Sequence, residues 1–183
     1  MKRIPTLFAA LALVTMVAVA AERESFWIDR SGQRVPETES RRSRDGFGGW
    51  LVVTSDQDWQ QKWLTPRETT PEFKEAAKLK RGDAAFVLIF FGNPRLGQDN
   101  AADVTCDIRV TRPNQTTSIA ERNITCFKGT IDTDPMSVFL SAPVIQFTGE
   151  PMDPLGKWVV DVTLHDNLRE VDVPLRASFE LTP

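Results

Sequence analysis

The side chains that most often carry out chemistry are few in this chain of 183 residues. His165 is the only histidine, and Cys106 and Cys126 are the only cysteines. A Ser-His-Asp or Cys-His arrangement would have to include His165, yet the alternation around it places its side chain on the outward face of a predicted strand, together with Asp161. Neither a cysteine-histidine spacing typical of zinc nor a glycine-rich phosphate loop is found. The sequence therefore predicts no catalytic residue, no metal site and no cofactor.

Acidic residues leave two alternatives open. Asp132 with Asp134, and Glu150 with Asp153, lie in predicted loops and could bind Ca²⁺ through carboxylate oxygens, although no ordered series of ligands supports this. Carboxylates that are scattered in the sequence could also meet in the fold and form the site of a hydrolase.

Trp59 and Trp63 are the candidate binding residues. They are four positions apart in the segment DQDWQQKWL, which predicts a short helix with both indoles on one face. That face either packs on a sheet or forms an exposed aromatic platform for a ligand or partner. We expect packing, and the platform stays the alternative.

The two cysteines lie in one predicted hairpin, DVTCDIRVTRPNQTTSIAERNITC, which spans residues 103–126. Apolar residues alternate with polar ones along its first half, and Pro113-Asn114-Gln115 supplies the turn. Cys106 and Cys126 are equally distant from Thr116, so the hairpin predicts a disulfide between directly opposite positions. In that register Val110 faces Arg122, which predicts a frayed or bulged tip.

Further strands are predicted by apolar runs and by alternation. The segment FGGWLVVT begins the domain, and the run AAFVLIFF is apolar throughout, which is typical of a strand buried on both faces. Other strands are expected over residues 138–147, bent at Pro143, and over residues 158–164 and 171–181, while residues 71–80 predict a second helix. This pattern predicts an all-β fold: an antiparallel immunoglobulin-like β-sandwich of about seven strands, with one or two short helices after the first strand.

The N-terminus predicts export. Lys2-Arg3, an apolar run and Ala18-Val19-Ala20 are typical of a secretory signal peptide over residues 1–20, with an uncleaved membrane anchor as the alternative. Residues 21–46 are polar and predict a flexible leader, or a docking segment anchored by Trp27. Residues 47–183 form the predicted sandwich domain.

Charge and cysteine content narrow the class of protein. The net charge is −3, and loss of the basic signal peptide makes the chain more acidic, so the basic surface of a nucleic-acid binder is not expected. Two cysteines in an exported chain favour a disulfide. The sequence predicts a periplasmic or secreted monomer without a membrane span after cleavage.

Several segments carry a resemblance to known proteins. TSDQDWQQKW, FFGNP and DVTCDIRVTRPN resemble a group of uncharacterised exported bacterial proteins, and DPLGKWVVDVTLHDN resembles the penultimate strand of bacterial immunoglobulin-like modules. The resemblance implies fold and compartment but no activity. We therefore expect a non-catalytic periplasmic binding or accessory module for a protein or cell-envelope partner; the alternative is the periplasmic hydrolase.

Overall fold

The computed structural model describes residues 25–29, 31–66 and 70–183, so the predicted signal peptide lies outside the described residues. The described chain contains one helix, α1 (Trp59–Leu64), and a 3-10 turn at Gln98–Asn100. Its strands are β1 (Arg41–Arg44), β2 (Phe47–Thr54), β3 (Lys78–Lys80), β4 (Ala84–Gly92), β5 (Ala101–Thr111), β6 (Thr117–Thr130), β7 (Val138–Leu140), β8 (Ile145–Thr148), β9 (Gly156–Asp166) and β10 (Val171–Thr182).

These strands build two five-stranded sheets. In the first sheet the order is β1-β2-β4, and β4 pairs with both β7 and β8. In the second sheet the order is β3-β10-β9-β5-β6, and β3 runs parallel to β10. The prediction of an all-β fold is confirmed. The predicted number of about seven strands is wrong, because ten form in the described part of the chain, and the additional ones are too short to show alternation.

The core lies between the sheets and follows the period-two pattern. Alternation along β9 places four apolar residues on one face, and all of them are buried: Trp158, Val160, Val162 and Leu164. β4 contributes Val87, Ile89 and Phe91 to this core, and its other face buries Leu88 and Phe90. The prediction of a strand buried on both faces is therefore confirmed.

Residues 71–80 do not form the predicted helix. Phe73, Ala76 and Leu79 are spaced like one face of a helix and are all buried, but the segment between them is irregular, with an isolated bridge from Glu75 to Thr54. The Ala76 N–H donates to the Val53 carbonyl, and Leu79 lies in β3 beside β10. Sheet pairing has thus replaced the hydrogen bonds of a helix, and the prediction of a second helix is wrong.

Pro143 divides the strand that was predicted over residues 138–147. The two pieces, β7 and β8, both pair antiparallel with β4, at its end and at its beginning. Ser141 lies between them, and its N–H donates to the Ile89 carbonyl. Because proline has no N–H for the ladder, the chain leaves the sheet and returns instead of bending within one strand.

Part of the predicted leader lies in the first sheet. Arg41–Arg44 forms β1, which pairs antiparallel with β2 from Arg41 opposite Trp50 to Arg44 opposite Phe47. Asp45 and Gly46 join the strands with positive φ angles of 49° and 84°, as a two-residue hairpin turn requires. The arginine-rich strand has no apolar alternation, which is why the sequence pattern did not separate it from the leader.

The disulfide between Cys106 and Cys126 is confirmed, with the two Cα atoms 5.8 Å apart. The predicted register is wrong, because Cys106 lies opposite Ile124 and Ile108 lies opposite Glu121. Register shifts along β5 and β6 account for the difference, and at one of them Cys126 is the extra residue between the partners of Val104 and Thr105. Another shift lies between Val110 and Thr111, so the predicted irregularity at the tip of the hairpin is confirmed.

Removal of the disulfide should lower the free energy of unfolding by about 3 kcal/mol, because the bond closes a loop of 20 residues in the unfolded chain. A variant with Cys106→Ala and Cys126→Ala would be compared with the wild type by denaturant unfolding. Reductant should bring the wild type to the stability of the variant and leave the variant unchanged. Equal stability of both proteins without reductant would contradict the prediction.

Candidate functional site

The outer face of the first sheet is apolar and aromatic. Strand alternation points Trp50 and Val52 of β2, and Phe86, Leu88 and Phe90 of β4, away from the core. They form a hydrophobic cluster of their own, in which Trp50 stacks on Phe90 with ring centroids 5.1 Å apart. We call this surface the aromatic face. An apolar outer face of this kind must be covered by other segments or by a partner.

Helix α1 covers part of the aromatic face. The Trp59 ring lies 5.8 Å from the Phe86 ring, and the Trp63 ring lies 5.2 Å from the Phe90 ring, measured between centroids. Phe73 stacks on Phe90 from the following segment. The two predicted binding residues thus share one face of the helix and pack on the sheet, but both are only half-buried. Each indole has one side against the sheet and part of its surface open to solvent.

A charged cluster fastens α1 to the segment after it. The Asp56 carboxylate accepts hydrogen bonds from the Lys62 ammonium and from the Lys74 N–H, both at 2.8 Å. Lys62 also lies 3.4 Å from Asp58, one helical turn away. Burial opposes ionisation of Asp56, but the hydrogen bonds from Lys62 and Lys74 together with the attraction of their charges outweigh it and lower the pKa of Asp56. Ionised Asp56 therefore stabilises the position of the helix.

Replacing Asp56 with asparagine should make the free energy of unfolding less dependent on pH in the acid range. Since folding lowers the pKa of Asp56, its contribution to stability is complete above the ordinary carboxyl pKa of about 4 and is lost as the pH falls through the lower pKa of the folded state. The wild type should lose more stability than Asp56→Asn between neutral and acid pH. Denaturant unfolding followed by tryptophan fluorescence measures this. Asp58→Asn is the matched control, since Asp58 is more exposed and lies further from Lys62; equal acid dependence of the two variants would contradict the assignment.

The start of the described chain covers another part of the aromatic face. We call residues 25–29 the arm. The Phe26 ring lies on Gly48 of β2 and Gly92 of β4, and Trp27 packs edge-on against Trp50. Trp27 is buried, and its indole Nε1–H donates to the Arg42 carbonyl at 3.0 Å. The sequence pointed to Trp27 as a possible anchor but missed Phe26 and its contact with the glycines, because only strand pairing places Gly48 opposite Gly92.

Apolar side chains around these contacts are open to solvent. Trp50 is half-buried, as are Val138, Leu140 and Val144 at the β7 side of the cluster. Next to Trp63, Leu64 is 68% exposed. The aromatic face therefore has large aromatic rings held on a sheet, with apolar surface that is accessible to solvent. These features are common in protein-binding sites.

His165 lies on the outer face of the second sheet. Its Nδ1 atom is 2.7 Å from Asp172 Oδ1 on β10, and its Nε2 atom is 3.6 Å from Asp107 Oδ1 on β5. The predicted outward direction of His165 agrees with this position. Asp161 on the same face is bonded to Arg176 at 2.6 Å. The His165 and Asp161 contacts link neighbouring strands of the second sheet, and the Asp161–Arg176 contact joins opposite charges.

Two of the acidic side chains in the loops accept hydrogen bonds from backbone N–H groups of their own turns. Asp134 accepts a hydrogen bond from the Met136 N–H, and Asp153 accepts one from the Glu150 N–H. Within residues 25–29, 31–66 and 70–183, no group of three or more histidine, cysteine, aspartate or glutamate side chains could hold a metal ion. The calcium alternative has no support from this arrangement.

Asp103 lies on the outer face of the second sheet, where its carboxylate forms an ion pair and a hydrogen bond. The Lys128 ammonium, 2.8 Å away, and the Asn167 amide lower the pKa of Asp103. A general acid needs a carboxyl group with a raised pKa, and this shift has the opposite sign.

A groove of about 510 Å³ lies between β1, with the segment before it, and the start of β10. Its charged side chains are of both signs, and they include Glu37, Glu39, Arg42, Arg44 and Asp172. The mixed charge does not favour one class of charged ligand.

In the described ranges, no helix is long and apolar enough to cross a bilayer.

Comparisons with known proteins show distant structural neighbours. No protein-family model matches the chain, and no curated protein matches it. An alkylpurine DNA glycosylase, AlkC, from Pseudomonas fluorescens is 12% identical with a TM-score of 0.37, over 58% of this chain and 28% of that one. A family 123 glycoside hydrolase from Clostridium perfringens is 10% identical with a TM-score of 0.39, over 73% and 27% of the two chains. A Niemann-Pick type C2 protein from the Japanese carpenter ant is 8% identical with a TM-score of 0.38, over 72% and 89%.

The first two matches thus span 28% and 27% of the neighbours' own lengths. At these TM-scores the similarities carry no argument about the function of this chain.

Proposed function

We propose that this protein is a non-catalytic binding module of the periplasm and that its aromatic face holds a protein partner. The observation that carries the proposal is the half-exposed layer of Trp50, Trp59 and Trp63 on the outer face of the first sheet. Tryptophan is enriched among the residues that contribute most to protein–protein binding, because a large rigid ring buries much apolar area at a small entropic cost.

The rigidity of this face supports the same proposal. Phe90, near the end of β4, contacts the rings of Trp50, Trp63 and Phe73, with centroid distances between 5.1 and 5.6 Å. β4 is also hydrogen-bonded to neighbours on both sides. Side chains that are already fixed by such packing lose little conformational entropy when a partner binds.

Export and the immunoglobulin-like class belong to the proposal as well. A disulfide is favoured outside the cytoplasm, which supports a periplasmic or secreted location. Two packed sheets with mostly antiparallel strands support an immunoglobulin-like sandwich, although this disulfide joins β5 and β6 within one sheet and not the two sheets. The hydrolase alternative stays a prediction, and no specific observation on the described residues favours it.

Leu64→Glu should weaken capture of the partner while leaving the fold intact. Leu64 is 68% exposed beside Trp63, so the new carboxylate changes the apolar surface without entering the core. Purified protein would be used to capture partners from periplasmic extract, and the bound protein would be titrated with each variant. We expect affinity to fall about tenfold or more, as for the loss of an important contact residue.

Met152→Glu is the matched control, because Met152 is 92% exposed in the turn before β9, away from the aromatic face. Both variants should unfold at the wild-type denaturant concentration. Trp63 itself is a poorer probe, since its ring packs on Phe90 and its loss would change stability too. A partner that is held equally by the wild type, Leu64→Glu and Met152→Glu would refute the aromatic face as the binding site.

A further inference from the structure

Gly48 and Gly92 form a notch in the aromatic face. They lie directly opposite each other on the paired strands β2 and β4. The Phe26 ring occupies the space that their side chains would fill, and a Cβ atom on Gly92 would lie 2.6 Å from Phe26 Cε1. A Cβ atom on Gly48 would overlap Phe26 Cδ1. Only a pair of glycines leaves room for an aromatic ring at this position, and we call it the glycine notch.

The notch is unusual in strands of this composition. Apart from glycines, β2 and β4 contain mainly β-branched and aromatic residues, which stabilise strands. Glycine weakens the interior or end of a strand, because it loses more backbone entropy and offers no side chain for packing. Two glycines that face the same ring on neighbouring strands are explained by the close approach of that ring.

Backbone and side-chain hydrogen bonds hold the arm beside β1 as they would hold a bound peptide. The Phe26 N–H donates to the Ser43 hydroxyl, and the Trp27 indole N–H donates to the Arg42 carbonyl, each at 3.0 Å. Phe26 and Trp27 are adjacent in the chain, and their rings pack edge-to-face with centroids 5.1 Å apart. One ring enters the glycine notch and the other covers Trp50, so two adjacent aromatic residues are recognised together.

We propose that the glycine notch is an acceptor site for a peptide with adjacent aromatic residues on a partner protein, bent at the first ring as the arm is at Phe26, and that the arm occupies this site in cis. The inference rests on the proposed function, because it assigns a ligand class to the same aromatic face. The partner segment would place one ring between Gly48 and Gly92 and the next ring on Trp50, and it would form hydrogen bonds with β1. The seated arm shows the chemistry that the site accepts.

Occupation in cis has a measurable consequence. A tethered segment competes at a high effective concentration, so a peptide in solution binds only the fraction of molecules whose notch is open. Phe26→Ala removes the competing ring and should raise the affinity for an added peptide about tenfold or more. Phe26→Leu keeps an apolar side chain and should have a smaller effect in the same direction.

The test measures binding of a fluorescent synthetic peptide with the sequence of residues 25–35 to the exported chain, by fluorescence anisotropy. The peptide should bind Phe26→Ala more tightly than the wild type. Adding Gly48→Ala to the Phe26→Ala variant should abolish binding, because the new Cβ atom fills the notch; without the Phe26 ring it overlaps no atom of the arm. Gly129→Ala in the same background is the matched control, since a Cβ atom there meets nothing within 4 Å. A peptide with alanine in place of phenylalanine should not bind.

Two results would overturn the proposal. One is equal and weak binding to the wild type, Phe26→Ala and Phe26→Leu, all shown to be folded by near-ultraviolet circular dichroism. The other is a wild-type dimer that is lost in Phe26→Ala, which would assign the notch to exchange of arms between two copies of this chain. Capture that depends on Leu64, with failure of the peptide to bind, would leave the proposed function standing and remove only the notch as its acceptor site.

Discussion

Replacing Asp166 with alanine should lower the free energy of unfolding by about 3 to 5 kcal/mol, as expected when one partner of a buried ion pair is removed. Asp166 is 1% exposed. Its carboxylate accepts hydrogen bonds from the Arg95 N–H at 2.7 Å, from the Leu168 N–H at 3.2 Å, and from the Arg169 N–H and Nε–H at 3.0 and 3.2 Å. The alanine variant would leave all four donors without this partner.

The position of Arg169 explains why the effect should spread through the domain. Its guanidinium also donates to the Asp45 carbonyl in the β1–β2 turn and to the Asn93 carbonyl after β4. Asp166 is the last residue of β9, and Arg169 lies in the β9–β10 turn. The ion pair and the two carbonyl contacts of Arg169 therefore connect the two sheets at this end. Without Asp166, the positive guanidinium of Arg169 would keep its two carbonyl acceptors but lose its carboxylate partner.

Asp161→Ala is the control for Asp166→Ala, because it also removes an aspartate from an arginine. The Asp161–Arg176 pair is shorter, at 2.6 Å, but its side chains are 33% and 56% exposed. Pairs in contact with water contribute about 0 to 1 kcal/mol, so this variant should stay close to the wild type. Denaturant unfolding compares the three proteins, and similar losses for both variants would show that burial does not determine the effect.

Trp158→Ala should also lower the free energy of unfolding by about 3 to 5 kcal/mol, because it removes the largest fully buried side chain of the core. The Trp158 ring lies against Phe147 at a centroid distance of 4.8 Å and is stacked with Phe179. Its indole N–H donates to the Pro154 carbonyl. The change leaves a cavity between two phenylalanine rings and a carbonyl group without its donor.

Lys157→Ala is the control for Trp158→Ala, because Lys157 lies in the same strand but is exposed. It should change the free energy of unfolding by no more than about 0.5 kcal/mol. Chemical denaturation at constant pH measures both variants. A small loss for Trp158→Ala would mean that Phe147 and Phe179 close the space left by the indole, and the estimate based on a cavity would then fail.

The buried faces of β9 and β10 could be predicted from the sequence. One face of each strand meets the core and the other meets water, so apolar and polar residues alternate. β1 and β3 could not be predicted, since β1 consists of charged residues and serine, and β3 has one apolar residue between two lysines. The place of β1 depends on its hairpin with β2, in which Arg41 lies opposite Trp50. The place of β3 depends on pairing with the distant β10, in which Lys78 lies opposite Glu180, and such pairing leaves no local pattern in a single chain.

The candidate site was accessible to sequence reasoning only in part. The spacing of Trp59 and Trp63 shows that they share a face, but not which surface they meet. β4 is apolar on both sides, so its alternation does not tell which residues face the helix. The contact of Phe26 with Gly48 and Gly92 was out of reach, because it depends on strand register and on a segment 22 positions away from the nearer glycine.

The bulges of the β5–β6 hairpin have a consequence for association between molecules. β6 is the last strand of the second sheet, and a long open edge strand is a template for edge-to-edge aggregation. Asn123 has a positive φ of 51° where the register shifts, and charged Glu121 and Arg122 precede it. Further along, the Cys126 carbonyl already accepts a hydrogen bond from the Ala142 N–H. The register shifts of this hairpin therefore also protect its open edge from pairing with a strand of another molecule.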